Sequence, residues 1–221
     1  MGGGVSAVIL DLDGTLVDSA PDIRAAANAA LAGEGAAPLT PDETRRFIGD
    51  GTEVFVARMI AARDLPGRAH GRLHAAFLAG YEGAVAGTRP MPGAAAALEA
   101  LRAAGQSLAL CTNKPEAPAR GLLAHFGWAD LFGAVIGGDS LPACKPDAAP
   151  LIAAWRALGG GPAIFVGDSE TDAATARAAA LPFALYTQGY RNEPVAGIGH
   201  DAAFDDFAAL PGLIAAWPEA A

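Results

Sequence analysis

After about ninety residues, short apolar runs alternate with helix-length segments, and this alternation constrains the fold more than any other feature of the chain. Ser107–Cys111, Ala134–Ile136, Ala163–Val166 and Phe183–Tyr186 read as strands, and Val5–Leu10 supplies one more near the start. The segments between them carry helix punctuation. Pro92–Ala104 has proline near its start and Gly105 just past its end; Glu116–Phe126 is closed by Gly127 and Asp147–Leu158 by Gly159. Glu170–Ala180 is helical as well, and Asp205–Trp217 reads as a last helix interrupted near Pro211 and Gly212. Strands that alternate with helices pair in parallel and are covered on both faces, so the expected class is α/β with a Rossmann-like parallel sheet.

Between the first strand and Pro92 lie about 75 residues with no convincing strand, too many for a simple crossover in a compact unit. They are expected to form an inserted helical module. In it Thr40 and Glu43 are spaced as a capping box with Pro41 at the first helical position, and that helix runs to Gly49. A tight turn, Gly49–Gly51, then leads into a helix from Thr52 to about Arg63. The glycine- and proline-rich GTRPMPG segment marks the return to the sheet. The expected division is an α/β core of residues 1–18 and 89–221 with a helical cap of residues 19–88.

Composition removes several function classes. The 221 residues carry a net charge of −9 with scattered Lys and Arg, which argues against nucleic acid and anionic lipid as partners. No apolar stretch reaches the ~20 residues of a membrane span. The start, MGGGVS, fits a loose lipidation pattern at Gly2 but has no basic stretch beside it, and no secretory leader precedes the first strand. Two cysteines make no disulfide framework, in keeping with a reducing cytoplasm. A monomer or homodimer acting on a small molecule is the expectation.

In open parallel sheets ligands bind beyond the carboxyl ends of the strands. The residues there are Asp11 and Asp13, Thr112 and Asn113, Lys145, and Asp168 with Asp172. Carboxylates this crowded raise one another's pKa unless a cation intervenes, and Mg²⁺ with its preference for oxygen ligands suits them. Lys145, Thr112 and neighbouring amides would face the oxygens of a transferring phosphoryl group. Asp11 would attack phosphorus, and Asp13, two residues on, would serve as general acid and base. Gly14 permits the tight turn and Thr15 can hold it.

DLDGTLVDS (11–19), TNK (112–114), KPD (145–147) and GDSETD (167–172) together resemble, in order, the four motifs of the haloacid dehalogenase superfamily. Within it, residues 44–60, 137–147 and Gly189–Tyr190 are most similar to the phosphoglycolate phosphatases. The resemblance implies hydrolysis of 2-phosphoglycolate with Mg²⁺ under a helical cap. It implies Asp11 as nucleophile, Asp13 as acid/base, and phosphate binding by Thr112, Asn113 and Lys145. Metal binding would fall to Asp11, the Asp13 carbonyl and Asp168, with Asp172 in a supporting or additional role. Dehalogenases of the superfamily lack the second aspartate of the first motif, so Asp13 points to phosphoryl chemistry.

Simpler readings stand beside these. Thr112 and Asn113 could cap the helix near Pro115, Lys145 could be a solvated loop residue, and Asp172 a first-turn carboxylate. Cys111 and Cys144 read as small buried apolar side chains. His70 and His74 are four apart but have no third ligand candidate in the module. For selectivity the candidates are Arg45, which could fork a substrate carboxylate, and the turn Gly49, Asp50, Gly51 and Thr52. The alternatives are a related phosphatase or phosphomutase acting on sugar phosphates, an aspartate-phosphorylated signalling domain, and a noncatalytic binding module with the same fold.

Overall fold

A computed structural model describes residues 5–218; the Gly2 pattern lies outside the described residues. The chain runs β1 (Ala7–Leu10), β2 (Val17–Asp18), α1 (Ala20–Gly33), α2 (Pro41–Phe47), α3 (Thr52–Ala62), α4 (His70–Tyr81) and β3 (Arg89–Pro90). It continues through α5 (Ala94–Ala103), β4 (Ser107–Cys111), α6 (Glu116–His125), β5 (Phe132–Ile136), α7 (Ala148–Ala157), β6 (Ala163–Gly167), α8 (Glu170–Ala179), β7 (Phe183–Tyr186), β8 (Ala202–Phe204) and α9 (Leu210–Ala215).

Six strands form one sheet in the order β5-β4-β1-β6-β7-β8, every neighbouring pair parallel. Alternate residues feed two separate cores, as the period of two in a strand requires. Val8 and Leu10 of β1, Leu108 and Leu110 of β4, and Ile164 and Val166 of β6 face one side, with α5, α6 and α9 packed there. Ile9, Ala109, Cys111 and Phe165 face the other, under α7 and α8. Because β1 is central and the chain crosses to opposite sides of it, the carboxyl ends of β1, β4 and β6 surround the place where the strand order reverses.

The four helices α1–α4 occupy the long interval before β3 and pack on one another, α1 chiefly against α4 and α3 against α4. Their buried residues, among them Ile23, Phe55, Met59 and Phe77, belong to the same apolar cluster as one face of the sheet. Chain entry and exit are adjacent: Val17 pairs with Pro90 and Asp18 with Arg89 in a short antiparallel ribbon. The capping box of α2 forms in both directions, the Thr40 amide donating to Glu43 at 2.7 Å and the Glu43 amide to the Thr40 hydroxyl at 3.2 Å.

Several boundaries differ from those expected. The first strand begins at Ala7, the strand before α7 begins two residues earlier at Phe132, and the helix after Thr40 ends at Phe47 rather than Gly49. The edge strand β8 lies outside the expected set because Ala-Ala-Phe, set between aspartates, offers one large apolar side chain, and only Phe204 is buried. The closing helix is shorter than Asp205–Trp217: a 3₁₀ turn over Phe207–Ala209 precedes α9, and Pro211 sits in the first turn, where its missing N–H costs nothing. Among the described residues no helix is long and apolar enough to cross a membrane.

Asp22 in the first turn of α1 fastens the returning chain. Its carboxylate accepts from the Gly87 amide at 2.8 Å, the Thr88 amide at 2.8 Å and the Thr88 hydroxyl at 2.7 Å. Asp22→Ala leaves the fully buried Thr88 without this partner and should cost about 1–3 kcal/mol. At about 2–4 °C per kcal/mol for a chain of this size, thermal denaturation should show a drop of several degrees; an unchanged midpoint would mean the carboxylate holds nothing.

Candidate active site

The site grows from the end of β1. The Asp11 amide still donates to the Val166 carbonyl of β6 at 2.9 Å, so Asp11 leaves the sheet with its backbone fixed. The chain then turns sharply, with the Leu12 carbonyl accepting from the Thr15, Leu16 and Val17 amides at 3.2, 2.8 and 3.1 Å. Gly14 makes this possible: its φ is +90°, and a Cβ there would stand 2.5 Å from the Asp168 carboxylate. Thr15, expected to hold the turn, sends its hydroxyl across the site to Asp168 Oδ1 at 2.6 Å.

Asp11, Asp168 and Asp172 each place a carboxylate oxygen within 4.8 Å of the others. Lys145 Nζ lies 2.8 Å from Asp11 Oδ1 and 2.6 Å from Asp172 Oδ1. All four are buried, and one ammonium stands against three carboxylates. Burial pushes the Asp11 carboxyl up to about 7, with Lys145 opposing and Asp172 adding to the rise. Asp168 is driven well above the carboxylate range by burial and then by Asp172 and Asp11. Burial works against the charged form of Lys145, but Asp11 and Asp172 outweigh it and hold the ammonium above its ordinary pKa. Lys145 is therefore a buried charge, not a solvated loop residue.

The two oxygens of Asp172 are fully engaged, Oδ1 by Lys145 and Oδ2 by the Asp168 amide, the Ser169 amide and the Ser169 hydroxyl at 3.2, 3.1 and 2.6 Å. It is thus a capping-box residue of α8 and the anchor of Lys145 at once. Asp168 accepts from Thr15 and from the Tyr190 amide at 2.5 Å. Asp11 Oδ1 faces Lys145 but makes no hydrogen bond of acceptable geometry. An all-oxygen donor set in which Asp11 Oδ1 accepts no hydrogen bond and each Asp168 oxygen accepts only one suits a hard divalent cation.

Asn113 clamps the lysine loop to β4. Its carboxamide accepts from the Lys145 amide at 2.9 Å and donates to the Lys145 carbonyl at 2.9 Å, and it also donates to the Gly49 carbonyl at 2.9 Å. Thr112 does not cap α6; its hydroxyl accepts from the Lys114 amide at 3.2 Å, and a distant carboxylate, Asp139, takes the Glu116 amide at 2.7 Å. Asp13 accepts from the Ser19 hydroxyl at 2.5 Å and lies 3.3 Å from Lys114 Nζ.

A cavity opens over these groups. Its floor is Asp11, Asp13, Thr112, Asn113 and Lys114. Its roof is Gly49, Gly51 and Thr52 of the turn with Phe55, Phe77 and Tyr81, whose rings stack in sequence at 5.1 Å spacings. Two of the selectivity candidates do not line it. Asp50 turns away to the Thr171 hydroxyl at 2.7 Å and to Arg58. Arg45, about half exposed, stands 3.8 Å from Asp18.

Lys114 and Tyr81 were not singled out from sequence. Lys114 adjoins Thr112 and Asn113 at a strand end, so position alone could have marked it; a tyrosine in the last turn of α4 gives no such signal. Cys111 is buried and inert, its thiol pushed up to about 12 by burial, whereas Cys144, expected to be buried, is exposed because its loop runs over the surface before Lys145.

Residues 5–180 match the family model of the haloacid dehalogenase-like hydrolases. A phosphoglycolate phosphatase of Cereibacter sphaeroides is 51% identical over 210 residues, covering 94% of this chain and 96% of that one. The crystal structure of a predicted phosphoglycolate phosphatase from Haemophilus somnus superposes with a TM-score of 0.87 at 33% identity, covering 95% of this chain and 97% of that one. That of a CbbY mutant from Rhodobacter sphaeroides in complex with xylulose-(1,5)-bisphosphate does so with a TM-score of 0.78 at 25% identity, covering 93% and 96%.

The raised Asp11 pKa makes a linkage prediction. Between its ordinary value of 3.8 and about 7 the native state holds a proton that the unfolded chain has lost, so this group's effect on stability becomes less favourable as pH rises through that window and levels off above it. In the presence of a chelator, the melting temperature of the wild type relative to Asp11→Asn should fall between about pH 4 and 7. A difference independent of pH would show that burial does not set the charge of Asp11.

Proposed function

The chain belongs to the haloacid dehalogenase-like hydrolase family, and from that premise we propose that it hydrolyses 2-phosphoglycolate to glycolate and phosphate with Mg²⁺, through a phosphoaspartate on Asp11. The observation that carries the reading is the position of Asp11, which lines the floor of the cavity under a helical roof with Lys145 at 2.8 Å and Asp168 and Asp172 close by. The identity to phosphoglycolate phosphatases over nearly the whole chain supports the substrate.

An Asp11 oxygen forms the bond to phosphorus while the bond from phosphorus to the glycolate oxygen breaks. Asp13, oriented by Ser19, delivers the proton that the departing oxygen needs, then takes one from the water that attacks the phosphoaspartate; phosphate leaves and Asp11 is restored. Lys145, fixed by Asp172 and by the Asn113 clamp, and the donors around Thr112 hold the phosphoryl oxygens. Asp11 and Asp168, with the Asp13 carbonyl, would hold Mg²⁺, which when bound neutralises the carboxylates and the phosphoryl charge. Asp172 serves by positioning Lys145. Residues 19–88 act as the cap, and α1–α4 exclude water from the closed cavity. Selectivity lies with the residues that line the cavity, so Gly49, Gly51 and Thr52 remain candidates, Asp50 latches the turn to α8, and Arg45 stands outside.

The bisphosphate-bound structural neighbour favours a second reading, a sugar phosphate as substrate, and one panel separates the two. With Mg²⁺, 2-phosphoglycolate should exceed xylulose-1,5-bisphosphate and hexose phosphates in kcat/KM, and a chelator should abolish turnover of all of them. Asp11→Asn should eliminate turnover and Asp13→Asn should slow it by about 10²–10⁴-fold. Preference for sugar phosphates would transfer the assignment to the second reading, and turnover surviving in Asp11→Asn would refute the phosphoaspartate.

A further inference from the structure

We propose that Lys114 is the residue that reads the substrate's carboxylate and so sets the preference for a phosphomonoester with a short acidic tail; the inference rests on the phosphoglycolate reading above. Lysines are seldom buried without full pairing, yet the Lys114 side chain is 3% exposed with a single carboxylate, Asp13, at 3.3 Å. Its other partners are neutral: the Tyr81 hydroxyl and the face of the Tyr81 ring, whose centroid is 4.0 Å away. Lys145 offers the contrast, since carboxylates at 2.8 and 2.6 Å already flank it and its ammonium lies on the Asp11 side of the site. Among the described residues that line the cavity, Lys114 is the only cation.

The chemistry of the leaving group places the tail beside it. Asp13 must reach the ester oxygen to protonate it, so the carbon attached to that oxygen, and the carboxylate one bond further, lie on the Asp13 side of the cavity. Lys114 is what the structure puts there. A carboxylate enclosed beneath the apolar roof of Phe55, Phe77 and Tyr81 would be costly to bury unpaired, and a charge-assisted contact to Lys114 resolves that cost. Tyr81 comes from α4, so the roof itself holds the ammonium in place, and an uncharged tail would gain nothing from it. Arg45 has no comparable position, because it is outside the cavity and half exposed.

The test compares kcat/KM for 2-phosphoglycolate with that for propyl phosphate, which has a neutral tail of similar length, together with competitive inhibition by 3-phosphonopropionate and propylphosphonate. Lys114 touches Asp13, so turnover of both substrates is expected to fall in Lys114→Met; the ratio isolates recognition of the tail. That ratio, and the ratio of the two inhibition constants, should drop by about 10–100-fold. Equal losses on both substrates with an unchanged inhibitor ratio would overturn the proposal and leave Lys114 as a support for Asp13. If Lys114→Met does not fold, Tyr81→Phe, which removes only the hydroxyl that holds the ammonium, carries the test with an expected drop of about 3–10-fold; an unchanged ratio there overturns it equally. A wild type with no preference for the acidic tail would instead remove the phosphoglycolate reading itself, and this inference with it.

Discussion

One ammonium among three buried carboxylates is the constraint that the rest of the molecule serves. Removed from water without partners, each of these charges would cost several kcal/mol, so the surrounding structure is largely a device for pairing them. Ser169 and the first turn of α8 occupy one oxygen of Asp172, which frees the other for Lys145. The Tyr190 amide and the Thr15 hydroxyl each donate to one oxygen of Asp168. Gly14 and Gly189 let backbone approach it, since a side chain at either would collide with its carboxylate. Asp11 keeps an oxygen that accepts no hydrogen bond and meets only the Lys145 ammonium, at 2.8 Å, and that residue is the one from which the proposed reaction needs a nucleophile.

The roof is not an independent body resting on this floor. Residues of α1, α3 and α4 share an apolar cluster with the sheet, and polar contacts cross from one to the other: Asn113 to the Gly49 carbonyl, Thr171 to Asp50, and Tyr190 to Asp18 and the Ala20 amide. Tyr190 is the more telling contact. Its amide holds Asp168, while its hydroxyl holds the ribbon through which the chain enters the helices, so one residue joins the buried carboxylate cluster to the base of the roof. Burial and the neighbouring Asp18 carboxylate keep that phenol protonated and able to donate.

Much of this was legible from the residues. The strands β4, β6 and β7 are short apolar runs between glycine- and proline-marked helices, and the seven polar residues at the strand ends do converge. The capping box at Thr40 formed as its spacing required. The rest was hidden for physical reasons. β8 depends on pairing with β7 rather than on its own three residues. Thr15 has the same sequence signature whether it closes its own turn or reaches across to a residue 153 positions away. Arg45 looks like any helix arginine until the fold pairs it with Asp18, and Lys114 looks like any loop lysine until α4 closes over it with Tyr81.

The central position of β1 has a kinetic meaning. Ala7, near the start of the chain, finds its partners only at Ser107 and Ala163, so the strand that carries Asp11 cannot be flanked until most of the polypeptide has been made. Pairings so remote in sequence are slow to form, and on a ribosome that adds about 5–20 residues per second this apolar segment must wait many seconds with both edges open. The acidic pair that ends it, and the polar turn that follows, are the features of that stretch which would keep it from adding to another chain during the wait.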